Sequence, residues 1–543
     1  MKKQMAKNVR VLIIGLDGGT WRVLKPMMNK GVMPNLKKLI ESGVSGILNS
    51  TLPPLTPPAM ASFQTGVLPS KHGIYEFTQY RPGSYRPTFV SSKSLKKKTI
   101  WRILSNAGAK IALVGVPLTY PPQPINGISV SGLLTPNLKA DFVYPPAFKA
   151  ELLKNIHDYR FHVSPCLFYT KGLKTFLKEI IYTETKRTEA FKFILSKLDW
   201  NIAMLYFQSV DGLQHTLWPM LQPQSREYSP EKFNQISAFF KLVDRTVGDL
   251  TTAAGEDMNV IVISDHGFGP FKKIFYLNRW LESKDYVAVK SSVIAQLTLT
   301  SVNLFKKIDF FKLRRRFLNI EKMLSLSSAT QNMTIDWSLT KAYMPVGTES
   351  GNIIINLKGR EPEGIVAPED YERIRADLKK QLEAIKDPEN GQPVIKRIYY
   401  RQELSSDDSA FTPDLLVEPE GGYYFNRGLE GSKLFFVPQF GKENKGCHRK
   451  EGIYVLSGPA FRHLENGPEA GIVDLPATIL ALMGIEPPSY FDGKVMNFAF
   501  QEHITKKQLM HLGEMEPKEQ RQESYSQEDE AILQQRLKDL GYL

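Results

Sequence analysis

The chain has 543 residues, 42% hydrophobic and 23% charged, with a net charge of +14. That length and balance describe a folded protein with a large core, and the charge suits an anionic partner or a basic solvated surface. With only Cys166 and Cys447 there is no disulfide framework and no thiolate zinc cluster.

No apolar run approaches the ~18 residues of a membrane span. The basic N-terminus is followed by Val11 to Leu16, too short for a secretory h-region, so the expected location is cytoplasmic. Val11-Leu-Ile-Ile-Gly-Leu-Asp17 reads as a strand buried on both faces. The pattern returns at Lys110 to Pro117, at Asn201 to Asp211 and at Asn259 to Gly267, with helical periodicity between, as at Met33 to Glu41 and Thr99 to Ser105. Strands alternating with helices predict an α/β fold with a mostly parallel sheet, whose ligands bind beyond the carboxyl ends of the strands. Asp17, Asp211 and Asp265 all occupy such ends. Three converging carboxylates repel one another unless cations lie between them.

Between the first two strands lies Thr51-Leu-Pro-Pro-Leu-Thr56-Pro-Pro-Ala-Met-Ala-Ser-Phe-Gln-Thr-Gly66. Prolines on both sides stiffen the loop, and Ala59 to Phe63 reads as the first turn of a helix. A hydroxyl there is expected to face amide N–H groups suited to an anion. From 278 to 338 the character turns mixed and basic, read as an insertion capping the site. Its segment 304–324 is a candidate for weak contact with an anionic membrane surface, although such runs are often solvated helix faces. The core is expected to resume at Gly351 to Leu357, with helices at Pro368 to Ile385 and Val473 to Gly484. Residues 9–500 then form the catalytic domain, and 501–543 a polar linker and C-terminal helix capped by Ser526-Gln-Glu-Asp.

The chain has nine histidines, and three sit in motif positions. His215 follows Asp211 by one helical turn, His266 directly follows Asp265, and His448 lies in Gly446-Cys-His-Arg-Lys-Glu-Gly452. Singly, each reads as an ordinary core or surface histidine. Asp-x-x-x-His and Asp-His on successive buried strands read instead as N/O ligands for zinc or a related divalent ion. Six such ligands and a hydroxyl exceed one tetrahedral shell, so two metal ions are expected.

These motifs, in this order, resemble the alkaline phosphatase superfamily, and in particular its type I phosphodiesterase/nucleotide pyrophosphatase branch. Met33-Pro-Asn-Leu, Lys71-His-Gly-Ile and Ile485-Glu-Pro-Pro agree, and the likeness runs from about residue 9 to 496. It implies an alkaline-phosphatase-like α/β/α sandwich with an inserted cap. It also implies one zinc ion held by Asp211, His215 and His448, and a second by Asp17, Asp265, His266 and the Thr56 oxygen. Thr56 becomes the nucleophile, activated by coordination, with a phosphothreonine intermediate. One departure stands out: the well-known nucleotide pyrophosphatases carry Asn three positions after the nucleophile, where this chain has Ala59. The expected function is a two-metal phosphohydrolase acting on phosphodiester or nucleotide-like small molecules, without specific nucleic-acid binding. The alternatives are a phosphomonoesterase or phosphonate hydrolase on the same scaffold, or a metal-stabilised binding protein.

Overall fold

The structure, a computed structural model, describes residues 9–80, 83–255, 257–290, 334–404, 412–429, 432–437, 445–502, 509–512 and 525–540. The chain divides into two compact units. One comprises Met1–Phe77, Val90–Pro270 and Asn444–Asp529; the other Thr78–Phe89, Phe271–Glu443 and Glu530–Leu543.

In the first unit nine of the described strands form the main sheet in the order Ala470–Gly471, Val44–Asn49, Glu451–Ser457, Met258–Ile263, Arg10–Leu16, Ile202–Phe207, Ile111–Val114, Gly127–Val130 and Val143–Tyr144, and Gly267–Pro270 pairs with Gly446–Arg449 in a separate two-stranded sheet. The middle five of the main sheet, from Met258–Ile263 to Gly127–Val130, are parallel to their neighbours within that run. Glu451–Ser457 runs antiparallel to both its neighbours, and Val143–Tyr144 to its one.

The unbroken apolar runs follow from burial of both sheet faces. Leu12, Ile14 and Leu16 join a core with residues of the helices Trp21–Asn29, Pro34–Ser42, Cys166–Lys197 and Pro230–Ala254. Val11 and Ile13 join the opposite core, shared with Thr56–Thr65, Ile100–Asn106 and Asp474–Leu482. Each fully buried aliphatic side chain contributes roughly 1.5–3 kcal/mol, so two-sided packing makes the middle of the sheet a major contributor to the unit's stability. Local polar contacts fix the helices against it. The cap position of Pro34–Ser42 is Met33, which supplies no side-chain bond; the Asp244 carboxylate instead accepts the N–H groups of Asn35 and Leu36 at 3.1 and 2.8 Å.

The second unit has its own core and changes one expectation. Gly351–Ile355 does not return to the parallel sheet. It belongs to a four-stranded antiparallel sheet ordered Ala342–Tyr343, Gly351–Ile355, Leu415–Pro419, Ile395–Tyr400. The helix Tyr371–Glu383 buries Ile374, Leu378 and Leu382 in that second core. A short apolar strand looks the same in either sheet, because its pattern reports burial and not the identity of its neighbours. Most of the 278–338 segment, including all of 304–324, lies outside the described residues, as does most of 501–525. The C-terminal helix Gln527–Leu540 is present, with Ser526 Oγ accepting the Asp529 N–H at 3.2 Å and the Asp529 carboxylate accepting the Ser526 N–H at 3.1 Å. Among the described residues no helix is long and apolar enough to cross a membrane.

Candidate metal centre

Three adjacent parallel strands deliver the acidic residues. Arg10–Leu16 ends directly at Asp17, and Met258–Ile263 is followed by Ser264, Asp265 and His266. After Ile202–Phe207 the chain enters the helix Ser209–Leu217, with Asp211 in its first turn and His215 in its last. Asp211 is thus helical, and the i,i+4 spacing stacks it beside His215. His448 arrives on Gly446–Arg449, which pairs antiparallel with Gly267–Pro270 so that His448 lies opposite Phe268.

The side chains meet in two buried groups: Asp211, His215 and His448, and Asp17, Asp265 and His266. In the first, His448 Nε2 lies 3.0 Å from Asp211 Oδ1 and 2.9 Å from His215 Nε2, and His215 Nε2 lies 3.3 Å from Asp211 Oδ1. In the second, His266 Nε2 lies 3.5 Å from Asp17 Oδ1 and 3.4 Å from Asp265 Oδ2. Thr56 Oγ1 joins the second group, 3.3 Å from both Asp17 Oδ1 and His266 Nε2. The His266 and His448 rings stack with centroids 3.8 Å apart, so the two groups adjoin.

The donor set fits divalent metal ions. His215 Nδ1 lies 2.9 Å from the Gly446 carbonyl, His448 Nδ1 3.1 Å from the Pro54 carbonyl and His266 Nδ1 3.1 Å from the Gly267 carbonyl. A carbonyl only accepts, so each Nδ1 carries the proton and a neutral ring turns its Nε2 lone pair into the cluster. Two such lone pairs 2.9 Å apart, on His215 and His448, repel unless a cation draws both. The buried Asp265 Oδ2 also has no hydrogen-bond partner.

The electrostatics agree. Burial and the neighbouring Asp265 charge hold Asp17 well above the usual carboxylate range. Burial works against ionisation of Asp211, yet His215 and His448 bring it well below that range. Burial opposes charge on His266 too, but Asp265 and Asp17 push its pKa up to about 10. Buried negative charge here draws in positive charge, which is what a cation site needs.

Thr56 differs from expectation in one respect. It is the first residue of the helix Thr56–Thr65, with Leu55 at the cap position. Pro57 and Pro58 fill the next two positions and have no N–H, while the Ala59 N–H bonds the Leu55 carbonyl at 3.0 Å. The first turn therefore offers an anion a single amide, that of Thr56, instead of the usual several. Ala59 is fully buried and adds no donor.

The family model described as type I phosphodiesterase / nucleotide pyrophosphatase matches residues 11–453. The chain belongs to this family. The type I phosphodiesterase family is one of metal-dependent phosphoester hydrolases. No curated protein matches the chain. Among solved structures, phosphonoacetate hydrolase from Sinorhizobium meliloti 1021 is similar in its complexes with phosphonoformate and phosphonoacetate. Identity is 17% in each, over 88% of this chain and 98% of that one, with TM-scores of 0.52 and 0.54. Human ectonucleotide pyrophosphatase/phosphodiesterase 5 is 14% identical over 89% of this chain and 97% of its own, with a TM-score of 0.49. At these identities the phosphonoacetate hydrolase structures speak for the α/β fold that the family shares.

The groups supporting these candidate ligands were not readable in the sequence of this type I phosphodiesterase-family chain. Pro54, Gly446 and Gly267 act through carbonyls, and any residue has one. Gly18 donates its N–H to Asp265 Oδ1 at 3.1 Å, and Gln214 Nε2 holds the Gly18 carbonyl at 2.8 Å. The glycines flanking Asp17, His266 and His448 were the one visible signal, marking places where backbone approaches closely.

Proposed function

We propose that this protein is a two-metal phosphohydrolase, with Thr56 as the nucleophile and phosphodiesters or nucleotide-like diphosphates as substrates. The observation that carries the reading is Thr56 Oγ1 lying 3.3 Å from both Asp17 Oδ1 and His266 Nε2, at the edge of one ligand group and next to the other. Asp211, His215 and His448 would hold one ion, and Asp17, Asp265, His266 and Thr56 the other; zinc suits this N/O donor set. Bound there, the ions supply positive charge to the phosphoryl group and lower the pKa of a coordinated hydroxyl.

The chain's own part is positional. The helix start fixes the Thr56 hydroxyl, which attacks phosphorus in line while the leaving group departs with its oxygen, giving phosphothreonine. Water then attacks that phosphorus, returns the hydroxyl and releases phosphate or a monoester. Burial of all six Asp and His ligands excludes competing solvent. A cytoplasmic setting belongs to the same proposal; Cys166 and Cys447 form no disulfide.

Ala59 favours a second reading. With no amide side chain at that position and one amide in the helix start, little besides metal selects a diester. Hydrolysis of phosphonates or monoesters on the same scaffold follows naturally, and the phosphonoacetate hydrolase structures share the fold. The test is turnover of bis-p-nitrophenyl phosphate against p-nitrophenyl phosphate and phosphonoacetate by zinc-loaded protein. Diester preference, lost by about a thousandfold or more in Thr56→Ala while metal content is kept, is the expected result. Preference for the monoester or the phosphonate selects the second reading, and wild-type turnover in Thr56→Ala removes Thr56 from the role.

A further inference from the structure

The helix Cys166–Lys197 carries an ion pair in the interior that the chemistry above leaves unused. Glu184 and Arg187 are 0% and 2% exposed. Arg187 Nη1 donates to Glu184 Oε1, and Arg187 Nη2 donates to the Phe161 carbonyl at 2.7 Å. Gly115, at φ +77°, leaves room for the guanidinium stem: a Cβ there would lie 2.9 Å from Arg187 Cδ. Removing two charges from water is costly, and apolar residues of similar size usually serve stability as well or better.

The same Glu184 oxygen accepts the backbone N–H of Ser209 at 2.9 Å. Ser209 opens the nine-residue helix that bears Asp211 and His215, and its cap position, Gln208, makes no side-chain cap bond. A Ser or Asp at the cap position would serve the N–H groups of the second or third helical residue and would not tie the helix to a neighbouring element. A carboxylate reaching from another helix, itself clamped by Arg187, satisfies the amide, meets the positive end of the helix dipole and fixes where the helix starts.

We propose that Glu184 is a positioning residue for the metal centre, holding the Ser209–Leu217 helix so that Asp211 and His215 converge on His448. The three donor atoms of that group lie within 2.9–3.3 Å of one another, and a small slide of the helix would separate two of them from the third. The proposal rests on the reading of Asp211, His215 and His448 as one metal site.

The test is calorimetric titration of metal-free protein with zinc, with thermal unfolding of the same metal-free samples. Wild type is expected to bind two ions; failure to do so overturns the site reading itself and the proposal with it. The double variant Glu184→Met, Arg187→Met leaves no lone buried charge. The gain from removing two buried charges is offset by the loss of partners for the Ser209 N–H and the Phe161 carbonyl. The variant should therefore unfold in the metal-free state near the wild-type temperature, yet bind one of the two ions about tenfold or more weakly, with the other unchanged. Wild-type affinity for both ions overturns the proposal while leaving the site reading intact, and equal weakening of both, with a fall in unfolding temperature, overturns it in favour of a general structural role. Should the double variant not fold, Glu184→Asp decides. It keeps the charge but draws it back by one methylene; selective weakening of one ion supports the proposal, and unchanged binding overturns it.

Discussion

At the scale of single residues the centre works by burial. Burial opposes charge on both His266 and His72, but His266 has two carboxylates beside it that overcome the effect, so only His266 is turned toward the charged state. His72 is fully buried, with Nε2 3.0 Å from Ser62 Oγ and Nδ1 accepting the Ile74 N–H at 3.0 Å. Burial, aided by the Lys96 charge, lowers its pKa from 6.5 to about 3. Unfolded chain binds a proton below about 6.5 that native protein refuses, so this contribution is complete above that pH and is lost as pH falls toward 3. The slope approaches about 1.4 kcal/mol per pH unit. His72→Asn keeps an acceptor near Nδ1 but does not titrate. The drop in denaturation free energy between pH 7 and pH 5 should therefore be smaller in the variant by roughly 1–2 kcal/mol. An equal drop in both proteins would assign the acid sensitivity elsewhere.

At the scale of elements, the strand ends do the positioning, and the sequence displayed those before Asp17 and Asp265; the third strand stops at Phe207, short of the expected Asp211, which lies in the following helix. The first strand shows both its burial and its stop at Asp17, because apolar side chains on both faces and an acid at the end leave little else to read. Its Gly15 was less legible. It lies opposite Tyr206 in the parallel register, and a Cβ at that position would sit 2.2 Å from the tyrosine ring. Tyr206 is fully buried and cannot swing away. Gly15→Ala should cost about 1–3 kcal/mol of stability by overpacking, read from urea denaturation. A neutral result would mean the sheet spreads there more easily than its packing suggests. Thr56 shows the opposite failing. The prolines announced a helix entrance, yet its first residue proved to be Thr56 itself, and the two prolines removed the amides that a helix start usually offers.

For the whole molecule, three aspartates, two just past strand ends and one in the helix after a strand, meet three histidines from separate segments in two adjoining buried groups. Metal held there would therefore be coupled to the stability of the fold. A chelator should lower the unfolding temperature, and zinc should restore it. At a free concentration a hundredfold above Kd, a bound ion would add about 2.7 kcal/mol. An unfolding temperature indifferent to both would speak against metal at either group. The sequence by itself determined the α/β alternation, the strand ends and the ligand types, because those depend on periodicity and on the chemistry of Asp and His. Only the tertiary structure decided that His448 lies opposite Phe268, that three backbone carbonyls fix the imidazole tautomers, and that Glu184 reaches Ser209. It also decided that Gly351–Ile355 serves a second core. Each of these is a contact between segments far apart in the chain, made through backbone groups or apolar faces that any of many residues could present, and so none leaves a local mark.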